Sequence, residues 1–498
     1  MYNTDSPVML PYKNLIKLDR NSNHPVFLQI VNQLILIIQR GQLQPSAKLP
    51  GSRSLSQSLG VHRNTVVKAL EELQAIGWIE IIPNKGAFVV ESLPVSKPSN
   101  WQEGEMDEQT GQEAFPFYEY PELSPPYSFE HPLSLDDGLP DIRLAPIDEL
   151  ARAYARNMRL LAQRKRLTYT DAAGNKKLRK HVVKLLNESR GLNVDEENIM
   201  ITRGTIMAIH LSILVSVRGG DKVIVGESNY QTANTILTHF GAELRKVPVD
   251  ENGLQTEAIA ELCRKEKIRA IYLTSHHHHP TTVTLSPERR IHLLSLAERF
   301  NFLILEDDYD YDYHYKNTPI LPLASGEQKD RVLYLGSFTK VLAPAFRVGY
   351  LVGPKRVIKE LPKLRRLIDR QGDIVLEQSM GDLIEDGSLR RHLRKSWKLY
   401  KERRDYACKI LEEEFSDYLS FNKPAGGMAI WTTFDKKLKL IDLSKDLLER
   451  GLFLSSGTIF NGIGRKQNAC RLGFASLNKK ELDQAFEIMQ AGIKARLA

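Results

Sequence analysis

The chain has 498 residues, a net charge of +8 and three widely spaced cysteines, Cys263, Cys408 and Cys470. That length suggests one small domain beside a large one, or about three of average size, and the mild positive charge suits a nucleic-acid binder and a basic enzyme equally. Three widely spaced cysteines suggest neither a disulfide framework nor a thiolate metal site, and the absence of a cleavable leader or a bilayer-length apolar run points to a soluble protein of the reducing cytoplasm.

Charge divides the chain into three zones. Residues 1–90 carry nine Lys/Arg against five Asp/Glu, whereas residues 91–130 carry one lysine against nine acids. We read 1–91 as a first domain and 92–128 as an acidic, Pro-containing linker with too little apolar content for a core. From 129 to 498, short apolar runs alternate with longer amphipathic stretches, the pattern of an α/β domain with a mostly parallel sheet and helices on both faces.

In the first zone Phe27, Ile30, Leu34 and Ile38 share one helical face, and Gly41 and Pro45 end it. A short helix from Ser52 to Leu59 stops at Gly60, and a third begins near His62 with Val66, Ala69, Leu70 and Leu73 as its buried stripe. Arg63, Asn64 and Lys68 are left on the open side near the helix start, where a recognition helix meets a major groove. Ile79 to Ile82, Pro83 to Gly86 and Ala87 to Val90 form a hairpin, or wing. A winged helix used only for protein contacts would carry the same pattern.

The runs Leu49-Pro50-Gly51-Ser52-Arg53, Arg63-Asn64-Thr65-Val66-Val67-Lys68 and Asn84-Lys85-Gly86-Ala87-Phe88 resemble the GntR family of winged helix-turn-helix repressors. The resemblance implies a double-stranded DNA operator as partner, touched by Arg53, Arg63, Asn64, Thr65 and Lys68, with Lys85 and Gly86 approaching the minor groove. Gly51 and His62 stand where that family commonly has serine.

In the large zone, Phe302 to Leu305 is an apolar strand that runs into Glu306-Asp307-Asp308-Tyr309, and open α/β sheets bind ligands at such carboxyl ends. Val332 to Leu335 is another, followed by Gly336-Ser337-Phe338-Thr339-Lys340, where a lysine can form a Schiff base with a cofactor aldehyde and the hydroxyls can hold a phosphate. Upstream, Thr202-Arg203-Gly204-Thr205 opens an amphipathic helix through Leu214 whose N-terminus suits an anion.

With Tyr169 to Gly174, Tyr230, Pro280, Arg347-Val348-Gly349-Tyr350 and Arg471-Leu472-Gly473-Phe474, these segments resemble fold-type I aminotransferases in order and spacing. The resemblance implies pyridoxal 5'-phosphate as cofactor. By it Lys340 carries the Schiff base, Asp307 pairs with the pyridine nitrogen, Tyr309 bonds the ring hydroxyl and Tyr230 stacks on the ring. Gly204, Thr205, Ser337, Thr339 and Arg347 hold the phosphate, Tyr169 reaches that of a neighbouring subunit, and Arg471 grips a ligand carboxylate.

The run His276-His277-His278-His279 invites a metal reading, but successive side chains of an extended segment alternate in direction and cannot converge on one ion. His279 stands where aminotransferases usually have asparagine and Thr282 where they have glycine. His279 therefore faces the cofactor ring, packs or lies in solvent, and the residues leave all three open.

Head, linker and body together resemble the MocR/GabR subfamily of regulators. That implies a homodimeric, pyridoxal-phosphate-dependent transcription regulator that senses a small amine or amino acid through aldimine exchange at Lys340. Ile206 and Thr232 depart from positions where members carry glutamine and a carboxylate-binding arginine, so 4-aminobutanoate is not the expected effector. The alternative is a working aminotransferase with an accessory DNA-binding head.

Overall fold

The computed structural model describes residues 7, 10–94, 133–316, 320–326, 329–460 and 467–497; residues 95–128 of the expected linker lie outside them. The chain divides into two compact units, Met1–Ser124 and Pro125–Ala498.

In the first unit the helices are α1 (Tyr12–Leu15), α2 (Val26–Gln39), α3 (Ser52–Leu59) and α4 (Arg63–Ala75), followed by the antiparallel hairpin β1 (Ile79–Ile82) and β2 (Gly86–Val89). The apolar stripes of α2 and α4 meet: Ile30, Leu34 and Ile38 pack with Leu55, Val66, Ala69, Leu73 and Trp78 in one core. Gly60 ends α3 at φ 63°, a left-handed conformation that a Cβ would penalise. His62 serves as the cap of α4, its Nδ1 accepting from the backbone N–H of Asn64 at 3.2 Å, so the imidazole does what a serine hydroxyl would do.

The second unit is built on a seven-stranded sheet of β3 (Ile199–Thr202), β4 (Lys222–Gly226), β5 (Glu243–Val247), β6 (Ile268–Leu273), β7 (Leu303–Asp308), β8 (Val332–Ser337) and β9 (Gly349–Val352). Their spatial order is β3-β9-β8-β7-β6-β4-β5; only β9 runs antiparallel to its neighbours. Ile224, Ile304 and Tyr334 point into one apolar layer and Val225, Leu305 and Leu335 into the other, which is why these strands read as continuous apolar runs rather than alternating ones.

The carboxyl ends of β3, β7 and β8 gather on one edge of the sheet, because Thr202 and Ser337 both pair with Gly349 at the start of β9. Helix α5 (Gly204–Ser216) leaves from that edge. It is not the amphipathic helix expected from its sequence. It lies between β8 and β9 on one side and helices Gln231–His239 and Leu361–Arg365 on the other, so Ala208, Ile209, Leu211 and Ile213 are all buried.

A second layer consists of β10 (Leu419–Phe421), β11 (Ala429–Phe434) and β12 (Ala469–Gly473), all antiparallel. The strand Leu133–Leu135 pairs with Leu452–Leu454 against the same apolar core. It runs into a turn in which Asp136 Oδ1 accepts from the N–H groups of Gly138 and Leu139, while Gly473 N–H donates to Asp136 O at 2.8 Å. This ties the turn at 136–138 to the end of β12. The three cysteines are free and buried, and among the described residues no helix is long and apolar enough to cross a membrane.

Candidate functional site

At the carboxyl edge of the sheet lies a cavity of about 150 Å³ lined by Thr205, Tyr230, His279, Asp307, Tyr309, Ser337, Thr339, Lys340 and Arg347, all singled out in the sequence, and by Asp137, Ile206 and Thr274, which were not given a role there. Strand pleating sorts the three acids of β7. Glu306 is fully buried beneath the sheet, accepting from Ser275 Oγ at 2.6 Å and from the N–H groups of Leu323 and Ala324, and Asp308 accepts from Tyr334 Oη at 2.7 Å. Asp307, between them in sequence, points the other way into the cavity.

One Asp307 oxygen accepts from Tyr272 Oη at 2.7 Å; the other, Oδ1, is buried without a partner. Burial pushes this carboxyl up to about 7, the Tyr272 bond opposing and the nearby Asp308 and Asp310 adding to the rise. Lys340 sits across the cavity with Nζ donating to Gly138 O at 2.6 Å. Burial lowers the basicity of its ammonium, against the pull of Asp137 and Asp136.

The phosphate-type features also converge. Arg347 has φ 51° and its guanidinium lies against Gly204, where an added Cβ would stand 2.8 Å from Nη2. The backbone at Gly204 has φ 77°, so both the dihedral and the close approach call for glycine there. Thr339 N–H donates to Ser337 Oγ at 3.0 Å, and Thr339 Oγ1 is buried without a partner.

Tyr230 meets the His279 ring edge-on at 5.3 Å, and Tyr309 Oη donates to His277 O at 3.0 Å. Tyr169 does not line this cavity. It is 69% exposed, with the Arg370 guanidinium 3.9 Å above its ring. The four histidines are buried and each has its own neighbour: His276 faces Asp308, His277 Asp310, His278 Thr281 and His279 Asp137. Among the described residues no three His, Cys, Asp or Glu side chains are grouped to hold a metal. Thr282, at a position where aminotransferases usually have glycine, has φ 62°.

Arg471, on β12, is 2% exposed and comes to the same edge, but its fork is engaged. Nη1 donates to Pro280 O at 3.1 Å, and Nε lies 2.6 Å from Asp137 Oδ1 as an ion pair whose N–H is not directed at that oxygen. His279 Nε2 stands 3.0 Å from Asp137 Oδ2. The Asp137 side chain is 48% exposed, so the rise from its partial burial is outweighed by the charges of His279, Arg471 and Lys340, which hold the carboxyl well below the usual carboxylate range. In the sequence Asp136-Asp137-Gly138 reads only as a turn; nothing local brings it beside a lysine some two hundred residues on.

In the first unit, Arg53 on α3 and Arg63, Asn64 and Lys68 on α4 are exposed, and Thr65 is half-buried. Arg63 Nε donates to Ser52 Oγ at 3.3 Å, joining the two helices, and Lys68 Nζ lies 4.0 Å from the centre of the Phe27 ring. Lys85 and Gly86 form the exposed tip of the hairpin, with Gly86 at φ 117°.

Residues 134–489 match the family model for aminotransferase class I and II, and residues 28–89 match that for bacterial regulatory proteins of the gntR family. The chain is 28% identical to YisV, an uncharacterized HTH-type transcriptional regulator of Bacillus subtilis, over 93% of this chain and 95% of that protein. It is 25% identical to MocR of Rhizobium meliloti, a probable rhizopine catabolism regulatory protein, over 97% and 96%. Among solved structures, LysN of Thermus thermophilus, an α-aminoadipate aminotransferase complexed with N-(5'-phosphopyridoxyl)-L-leucine, superposes with a TM-score of 0.68 at 25% identity, covering 73% of this chain and 92% of that one.

Proposed function

Because the chain belongs to the aminotransferase class I and II family and carries a gntR-family segment at its head, the order found in MocR-like regulators, we propose that it is a DNA-binding transcription regulator whose large unit holds pyridoxal 5'-phosphate and senses a small amine or amino acid. In this reading 1–91 contacts the operator, 92–128 links, and 129–498 binds the cofactor and the effector. The regulator works in the cytoplasm as a homodimer.

The observation that carries the reading is the placement of Lys340 and Asp307 in one cavity, with a buried, unpartnered carboxylate oxygen on Asp307. Such an oxygen is costly unless a donor meets it, and a protonated pyridine nitrogen is a donor of the right charge. The unpartnered Thr339 hydroxyl and the Gly204–Arg347 approach, which no larger residue at 204 would permit, fit a phosphate in the same way.

When bound, the cofactor would supply an aldehyde carbon to which either the Lys340 amine or a ligand amine could be joined. Asp307 holds the proton on the ring nitrogen. The N–H groups at Gly204 and Thr205, the hydroxyls of Ser337 and Thr339, and Arg347 hold the phosphate. Tyr309 would bond the ring hydroxyl, Tyr230 would cover one ring face with His279 beside it, and Tyr169 would reach the phosphate of a second copy. Lys340, whose ammonium burial makes more acidic, would more readily act and leave as a neutral amine, the proton passing between its nitrogen and that of the ligand amine.

On DNA, Arg63, Asn64 and Thr65 meet base edges and backbone from the start of α4, Arg53 and Lys68 neutralise phosphates, and Lys85-Gly86 reaches the minor groove. Ligand binding changes DNA affinity to the extent that it favours one of two states of the dimer. The test is a titration of cofactor-loaded protein with amines and amino acids, reading visible absorbance and operator affinity together. A ligand that shifts both supports the reading; a protein that takes up no cofactor, or whose DNA affinity ignores every ligand that shifts its spectrum, refutes it.

A further inference from the structure

Resting on the reading of Lys340 as the amine-exchanging residue, we infer that Asp137 is an internal substitute for a ligand carboxylate and that it restricts the effector to amines without an acid group. Arg471 is a buried guanidinium directly behind Asp137 of the cavity wall, and it is already matched: its Nε lies 2.6 Å from Asp137 Oδ1, and Nη1 donates to Pro280 O. The other Asp137 oxygen is 3.0 Å from His279 Nε2. Both oxygens are thus paired with the two groups at this end that would receive an incoming acid.

The segment holding Asp137 is not free to withdraw at small cost. Asp136 clamps the turn through its side chain to Gly138 and Leu139 N–H, through its carbonyl to Gly473 N–H on β12, and through Ser476 Oγ at 2.8 Å. Gly138 then offers its carbonyl to Lys340. The clamp therefore holds the Asp137 backbone between the reacting lysine and the arginine, with the side chain 48% exposed on the cavity rim.

A second carboxylate arriving at Arg471 would have to break this ion pair and lie beside Asp137, two like charges at one guanidinium. An amine whose far end is neutral or cationic meets no such conflict. The effector class that fits is a carboxylate-free amine such as an amino alcohol or a diamine.

The experiment uses matched pairs that differ only at the acid: L-alaninol against L-alanine, and 4-aminobutanol against 4-aminobutanoate. Binding to full-length, cofactor-loaded protein is measured by calorimetry and by visible absorbance, for the wild type, Asp137→Asn and Asp137→Ala. The wild type is expected to bind each alcohol at least about tenfold more tightly than its acid, and both variants to move the alcohol-to-acid ratio toward the acid by about tenfold or more, the range for one freed charged hydrogen bond. Two variants separate loss of charge from residual hydrogen bonding by the amide. A wild type that prefers the acids, or ratios unchanged within about twofold in both variants, overturns the role of Asp137 while leaving the amine-sensing reading intact. If the alcohols and acids all fail to shift a spectrum that borohydride trapping shows to be that of a lysine-bound cofactor, the sensing reading falls and this inference with it.

Discussion

Asp307→Asn offers a test that needs neither effector nor operator. In cofactor-free protein the Asp307 carboxyl is 3% exposed, one oxygen lacks a partner, and burial moves its ionisation from 3.8 to about 7. The folded state therefore holds this proton more tightly than the unfolded state. The resulting stability is complete below pH 3.8 and is lost as pH rises toward about 7, with a slope of about 1.4 kcal/mol per pH unit where only the folded form is protonated.

Between pH 5 and pH 8 this amounts to roughly 2.5 kcal/mol, and the asparagine variant, which has nothing to ionise, lacks it. Denaturant unfolding of the large unit at pH 5, 6, 7 and 8 should show Asp307→Asn gaining on the wild type by that amount as pH rises. Taking the difference between the two proteins cancels the titrating groups that do not interact with Asp307. With cofactor bound, Asp307 acquires a charged partner, so the wild type's slope should flatten while the variant binds cofactor more weakly. A wild type minus variant difference that is constant across this range would show that Asp307 ionises normally and that no charged partner is needed at its free oxygen.

Lys340→Ala should abolish the borohydride-reducible adduct that wild-type protein forms with pyridoxal 5'-phosphate; an adduct that persists would move the reacting amine elsewhere. Gly204→Ala forces a Cβ to 2.8 Å from Arg347 Nη2 at φ 77°. It should cost about 1–2 kcal/mol in stability from the backbone alone and weaken cofactor uptake further, whereas equal uptake by variant and wild type would exclude this loop from the phosphate site. In the head, Arg63→Ala should lose about 1–3 kcal/mol of operator affinity and relax specificity, while Lys68→Ala should lower the salt slope by about one. Unchanged operator binding in the double variant would assign the exposed face of α4 to another partner.

The local signals in the sequence carried the winged helix, its three-helix core and the strands of the large sheet, because each depends on near neighbours: the stripe Val66, Ala69, Leu70, Leu73 at helical spacing, the stop at Gly60, and the apolar runs ahead of Asp307 and Ser337. The strand ends at Asp307 and at Ser337–Lys340 were legible because strands of a parallel sheet deliver their carboxyl ends to one edge, whereas Tyr230, Tyr309, Arg347 and His279 were singled out only by the resemblance to fold-type I aminotransferases.

What local pattern could not decide was which groups meet across long separations. The amphipathic reading of α5 failed because burial on opposite faces is a property of what packs there, not of the helix itself. Only the pleat of β7 in the folded sheet separates Asp307 from Glu306 and Asp308, and the burial that sets its ionisation comes from elements far away in the chain. Arg471 was singled out by resemblance, but its partner was not: Asp137, which lines the cavity where Arg471 does not, reaches it only because the turn at 136–138 is tied to β12 after the chain has closed. Helical periods and turn residues are written in the sequence a few positions at a time, whereas the charge that faces an arginine is fixed by tertiary packing.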